Sequence, residues 1–256
     1  MISCRAEPVQ ASWFARVGGH GAAAEPLPVA ALAGMSAKHA SVTIHPLIQP
    51  GDYAAVAMGV ILLTILAIQP PFAQSVSPVT PADVPYSWHR GCPVGPAQLR
   101  RLRVSYWGFD GRAHTGTLIV HRSTVRNLTK VFRRLYLAEY PIRRMRSVDA
   151  YRASDDRSMA ADNTSAFNCR FVSGTTRWSM HAYGKAIDVN PVENPYVNGS
   201  RIQPPAGRAY LDRSNYRPGM AVRGGLLVRA FASVGWKWGG RWAGTPDYQH
   251  FSTTGG

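Results

Sequence analysis

The sequence predicts an α+β domain built on a small antiparallel sheet with flanking helices. Three observations predict it. Short β-branched runs alternate with longer runs at helical spacing, without the regular strand–helix–strand rhythm of a parallel sheet. Pro and Gly fall at the ends of these runs, where they stop elements. The composition, 45% hydrophobic and 17% charged, is that of a globular chain and excludes wholesale disorder.

The elements follow in order. Thr117 to His121 (TLIVH) reads as a strand. Ser123 is placed to cap a helix in which Val125, Leu128, Phe132 and Leu135 recur at helical spacing, and Pro141 bounds it. Ile142 to Tyr151 is read as a strand. Ala186 to Asn190 (AIDVN) is a short strand closed by Pro191. Leu226 to Val234 is an amphipathic helix with Gly235 at its C-terminal stop. Tyr248 to Ser252 (YQHFS) is a last short strand. No internal repeat is present.

Composition divides the chain. Residues 1–52 are rich in Ala, Gly and Pro and have no period; they are expected to be a disordered extension or the product of a start assigned too early. Residues 53–75 hold the uncharged run AAVAMGVILLTILAI, which is short for a membrane span of ~20 residues and suits a signal peptide. Ala73-Gln74-Ser75 supplies small residues for cleavage; an uncleaved membrane anchor is the rival. Residues 76–91 are expected to be a Pro-rich tether, and 92–256 the folded domain.

The formal net charge is +15, from 29 basic and 14 acidic side chains. Only three of each lie in the first 74 residues, so the whole excess belongs to the remainder. A basic folded part favours polyanionic surroundings, of which anionic cell-wall polymer is one. The Arg pairs at 100–101, 133–134 and 143–144 are scattered, no nucleic-acid motif is present, and export would exclude such a partner.

Of three cysteines, Cys4 lies in the extension. Cys92 and Cys169 form an even pair that export would oxidise to a disulfide, with two buried free thiols as the alternative; neither sits in a C-x-x-C pattern.

Two segments carry chemistry: Ser179-Met180-His181-Ala182-Tyr183-Gly184-Lys185-Ala186-Ile187-Asp188 and Asp247-Tyr248-Gln249-His250. A hydrolytic zinc site needs three His or carboxylate ligands, an open position for water, and a separate carboxylate to move a proton. His181, Asp188 and His250 have the right types for the ligands and Asp247 for the base. Each piece alone is weak, since lone histidines usually serve packing. Trp236, Trp238 and Trp242 read first as core, with a cleft wall as the functional alternative. Gly184, Gly239 and Gly240 read as turn glycines, and Asn190-Pro191 as the end of the ligand strand.

The full pattern is more specific. S-x-H-x-x-G-x-A-x-D, then W-G-G-x-W at Trp238 to Trp242, then D-x-x-H-F at Asp247 to Phe251 resembles the zinc D-alanyl-D-alanine carboxypeptidases of the LAS group. That group also holds L-alanyl-D-glutamate endopeptidases and the zinc fold of hedgehog domains. The resemblance spans roughly residues 92–253. It implies Zn2+ on His181, Asp188 and His250, Asp247 as general base, and a LAS/hedgehog-like fold. It further implies an Arg upstream of the first His that steadies the substrate, Arg170 in preference to Arg152. The implied substrate is a D-amino-acid-containing stem peptide of peptidoglycan, cut outside the cytoplasm. The alternative is a non-catalytic, zinc-containing wall-binding module of the same fold. Were Asp247 not the base, Glu193 would be the next carboxylate after Asp188.

Overall fold

The computed structural model describes residues 69–255. The extension at 1–52 and the apolar run at 54–68 lie outside the described residues. Among those described, no helix is long and apolar enough to cross a membrane.

The architecture is α+β with small antiparallel sheets. Strands β1 (Gln74–Pro78), β2 (Leu99–Trp107) and β3 (Ala113–His121) form one sheet in that order. Helix α1 (Val125–Leu137) follows and lays Leu128, Val131, Phe132 and Leu135 on Leu102, Val104, Leu118 and Val120. Its last turn gives way to Glu139 at φ 50° and then Tyr140-Pro141, so the left-handed residue and the proline together end it. Helix α2 (Asp155–Ala160) is short. Strand β4 (Ala186–Asp188) belongs to a second sheet. A hairpin of β5 (Tyr196–Asn198) and β6 (Arg201–Gln203), helix α3 (Leu226–Ala232), β7 (Lys237–Trp238) and β8 (His250–Ser252) complete the chain, and the second sheet has the order β4-β8-β7.

Two extended segments link the sheets. The Thr117 N–H donates to the Met145 carbonyl, the Thr164 N–H to the Arg144 carbonyl, and Ser165 pairs with Asp188. The apolar core runs unbroken across this join, from α1 to Ile187, Phe231 and Phe251.

Four expectations are corrected. Residues 76–91 are not a tether. β1 pairs along β2, Val79 and Val84 are buried with Leu99, Ile119 and Phe167, and Asp149 accepts the Tyr86 and Ser87 N–H groups at 2.9 Å. Prolines there mark turns of a packed segment. Residues 69–75 also belong to the fold: the Tyr136 hydroxyl donates to the Pro70 carbonyl at 2.6 Å, and Phe72 lies against Tyr136. Ile142 to Tyr151 is not a strand; it makes single bridges and then a 3-10 turn at Val148–Tyr151, because Ser147 accepts from the Asp149 N–H and starts the turn. Ser123 does not cap α1: the His121 ring accepts from the Ser123 N–H and starts a 3-10 turn that leads into the helix.

Candidate metal centre

The register of the second sheet makes the site. Asp188 on β4 and His250 on β8 are direct cross-strand partners, so both side chains leave the same face. His181 comes from a 3-10 turn, Met180–Tyr183, whose first N–H groups are met by Ser179: its hydroxyl oxygen accepts from the His181 N–H. Gly184 closes that turn at φ +64°, and a Cβ there would stand 2.6 Å from the His121 backbone nitrogen. Only glycine fits both demands.

The three side chains converge. His181 Nε2 lies 3.1 Å from Asp188 Oδ2, His250 Nδ1 lies 3.2 Å from Asp188 Oδ1, and the two ring nitrogens are 3.2 Å apart. All three residues are buried. Nitrogen and oxygen donors around one tetrahedral zinc at 2.0–2.1 Å stand roughly 3.3 Å from one another, so the observed edges fit a single ion. The donor chemistry fits as well. His181 Nδ1 lies 2.5 Å from the Ala166 carbonyl, which fixes the proton on Nδ1 and leaves the Nε2 lone pair facing the cluster. A second His and Cys group, His89 with Cys92 and Cys169, is consumed by the Cys92–Cys169 disulfide, whose Cα atoms are 5.9 Å apart.

Electrostatics bind the group together. Burial raises Asp188, but the His181 charge and the hydrogen bonds from His181 and His250 outweigh it and hold the carboxyl far below its usual range. Burial lowers His181, yet the Asp188 charge lifts it overall; burial dominates at His250 and lowers it. Asp247 is raised well above its ordinary value, first by burial and then by the neighbouring Asp188 charge. Its Oδ1 is buried without a hydrogen-bond partner among the described residues. A bound cation would reverse the Asp188 contribution.

Gly239 sets the position of Asp247. The Asp247 N–H donates to the Gly239 carbonyl, and a Cβ on Gly239 would meet the Asp247 carbonyl oxygen at 2.9 Å and His250 Cβ at 3.2 Å. The His250 N–H donates to the Asp247 carbonyl, so the D-x-x-H segment is a tight bend carrying both functional side chains.

A cavity of about 390 Å³ opens on the cluster and is lined by His181, Asp188, Asp247 and His250 together with Arg170. Arg152 is exposed and is not among the residues lining it. Arg170 follows the disulfide, its carbonyl accepts from the Ser179 N–H, and its guanidinium pairs with Asp155 at 2.7 Å. Glu193 is buried but lines no part of this cavity. The tryptophans divide: Trp236 and Trp238 are core, whereas Trp242 lines the cavity with its ring 5.3 Å from that of His250.

Residues 173–253 match the family described as D-alanyl-D-alanine carboxypeptidase. The match contains His181, Asp188, Asp247 and His250 and begins after Arg170, so it is narrower than the resemblance read over 92–253. Neither the curated proteins nor the solved structures give a match to the chain.

Sequence reasoning missed Asp155 and the β5–β6 hairpin, which brings Tyr196, Asn198, Arg201 and Gln203 to the same cavity. Ser154 before Asp155-Asp156 is a readable helix start, and the structure confirms it: Ser154 accepts from the Arg157 N–H. The hairpin carries no comparable signal.

Proposed function

We propose that the chain is a zinc-dependent peptidase acting on D-amino-acid-containing stem peptides of peptidoglycan, outside the cytoplasm. The observation that carries this reading is the convergence of His181 Nε2, Asp188 and His250 Nδ1 at 3.1–3.2 Å beside a buried, unpartnered Asp247 carboxylate oxygen. A purely structural site needs no such acid.

His181, Asp188 and His250 would hold the ion. Zinc in such a site supplies Lewis acidity toward the scissile carbonyl and lowers the pKa of a water to near 7. Asp247 would be the acid–base group, taking a proton from the attacking water and passing it to the leaving amine. Arg170, kept in place by Asp155 and by its position beside Cys169, stabilises the developing oxyanion with its planar fork. Arg177 and Arg201 line the same cavity and give a substrate carboxylate favourable surroundings. Trp242 forms an aromatic wall. Export would place the Cys92–Cys169 pair in an oxidising compartment, with the apolar run at 54–68 removed or retained as an anchor.

The test is to digest purified peptidoglycan with the full chain and identify released fragments by mass spectrometry, alongside Asp247→Asn. The unmodified protein should release either the terminal D-Ala or fragments cut between L-Ala and D-Glu. Asp247→Asn should keep its metal and lose roughly 10²–10⁴ in turnover. A non-catalytic wall-binding module would release nothing while still attaching to the wall. Loss of metal in Asp247→Asn would make Asp247 a ligand instead of the base.

A further inference from the structure

A second cleft, of about 670 Å³, opens between β2, β3 and residues 143–147. Its walls include Asp83, Arg101, Tyr106, Thr117, Arg144 and Arg146. Leu118 and Val120 point into the core, so Thr117 and, across the register, Arg103 take the other face.

Its charge is unbalanced in a particular way. Arg101 is engaged by Asp83. Arg143 lies 3.9 Å over the Phe109 ring and 3.5 Å from carboxyl oxygens of Asp162 and Glu193. Arg144 and Arg146 have no carboxylate partner within salt-bridge distance among the described residues; Arg144 feels the more distant Asp162 charge. Both line the cleft together with Tyr106; burial raises the Tyr106 hydroxyl, and the charges of Arg146 and Arg144 oppose that rise.

Hydrogen bonds hold the backbone that carries the two cations. Met145 between them is buried in the core, and its carbonyl accepts from the Thr117 N–H. The Arg144 carbonyl accepts from the Thr164 N–H, and the Arg146 N–H donates to Asn163 Oδ1 at 2.9 Å. Arg144 and Arg146, on either side of Met145, both line the cleft. Like charges so placed repel, and an oxyanion between them removes the repulsion.

We propose that this cleft is a phosphate-binding subsite, with Arg144 and Arg146 as its two guanidinium forks. One fork already occupies both oxygens of a planar carboxylate, whereas two forks can be used together by the three terminal oxygens of a phosphate ester. The phosphate comes either from a free ester or from groups carried on a wall polymer. The site is independent of the peptidase reading, since none of its residues lines the metal cavity.

Calorimetric titration of the full chain with inorganic pyrophosphate, with a polyphosphate chain and with polyglutamate tests it. The variants are Arg144→Ala/Arg146→Ala and, as an equal charge loss elsewhere, Arg133→Ala/Arg134→Ala on the exposed side of α1. Pyrophosphate should bind the unmodified protein, and the first variant should weaken binding by about tenfold or more, while the second changes it by less than about threefold. Zinc content and stem-peptide hydrolysis should stay unchanged in both. Polyphosphate binding far tighter per phosphate than pyrophosphate points to the polymer source, and equal binding to the free ester. Equal weakening by both variants, or polyglutamate binding as tightly as polyphosphate, overturns the site in favour of general charge attraction. Should the first variant not fold, protection of Arg144 and Arg146 from phenylglyoxal by pyrophosphate, read by mass spectrometry on the unmodified chain, decides the matter; no protection contradicts the proposal.

Discussion

In the candidate metal centre, His181 and Asp247 are positioned by neighbours outside the cluster. The Ala166 carbonyl fixes the His181 tautomer, Ser179 starts the turn that carries it, and Gly239 leaves room for the Asp247 bend. The candidate residues His181, Asp188, Asp247 and His250 were legible in the sequence because they fall within two short motifs. The Ala166 carbonyl was not, because a backbone acceptor 15 residues away leaves no trace in side-chain identity. A different residue yields a pH prediction. Glu193 is 1% exposed and is pushed up to about 8 from 4.5, first by burial and then by the Asp162 charge, while Arg143 opposes the rise. The folded chain therefore keeps that proton over a range in which the unfolded chain has released it. Stability from this group is complete below about pH 4.5 and is lost as the pH rises through about 8. Urea denaturation should show the unmodified protein weakening between about pH 5 and 8.5, by an amount on the order of a few kcal/mol at most. Glu193→Gln, which imitates the protonated form, should weaken less over that window. Identical pH dependence in the two proteins would show that Glu193 does not carry the effect.

At the scale of elements, the second sheet is short but strongly determined. β8 supplies His250 to the cluster and Phe251 to the core, where Phe251 stacks on Phe231 at 4.2 Å. Alternation thus ties ligand placement to core packing, and a one-residue slip would exchange them. That alternation made YQHFS and AIDVN readable as strands. Ile142 to Tyr151 misled for the reverse reason: Ile142, Met145 and Val148 are all buried, yet they recur every three residues on an irregular segment. Gly239→Ala tests the tie between β7, the bend and the site. Its Cβ would meet backbone at 2.9 Å, which cannot yield as a flexible side chain does. Thermal unfolding should show a loss of about 1–3 kcal/mol, and zinc affinity should fall with it. A variant of unchanged stability and unchanged zinc affinity would show that the bend is free to move.

Across the whole molecule, the apolar join between the sheets makes the first strand part of the structure that carries the site. Composition hid this. Pro78, Pro81 and Pro85 punctuate SVSPVTPADVPYS as they would a linker, whereas the burial of Val79 and Val84 depends on partners at Ile119 and Phe167 far along the chain. A chain beginning at Cys92 should consequently expose Leu99, Ile119 and Phe167 and lose several kcal/mol, at roughly 1.5–3 kcal/mol for each large apolar side chain left uncovered. Comparing its melting with that of the full chain checks this, and equal melting temperatures would restore the tether. The disulfide reinforces the same region. It closes a separation of 77 residues, worth about 4–5 kcal/mol in the chain-entropy account, and fixes the backbone next to Arg170.

The central claim is that one zinc on His181, Asp188 and His250 makes this chain a peptidase. Its most direct test is to titrate zinc into the metal-free full chain while following hydrolysis of a synthetic stem pentapeptide ending in D-Ala-D-Ala, with the products resolved by mass spectrometry so that either bond is seen. Activity should rise in proportion to added zinc and level off at about one ion per chain, since three protein ligands and one open position define a single catalytic site. An intact peptide at full zinc occupancy, or undiminished hydrolysis with the metal removed, would contradict the claim.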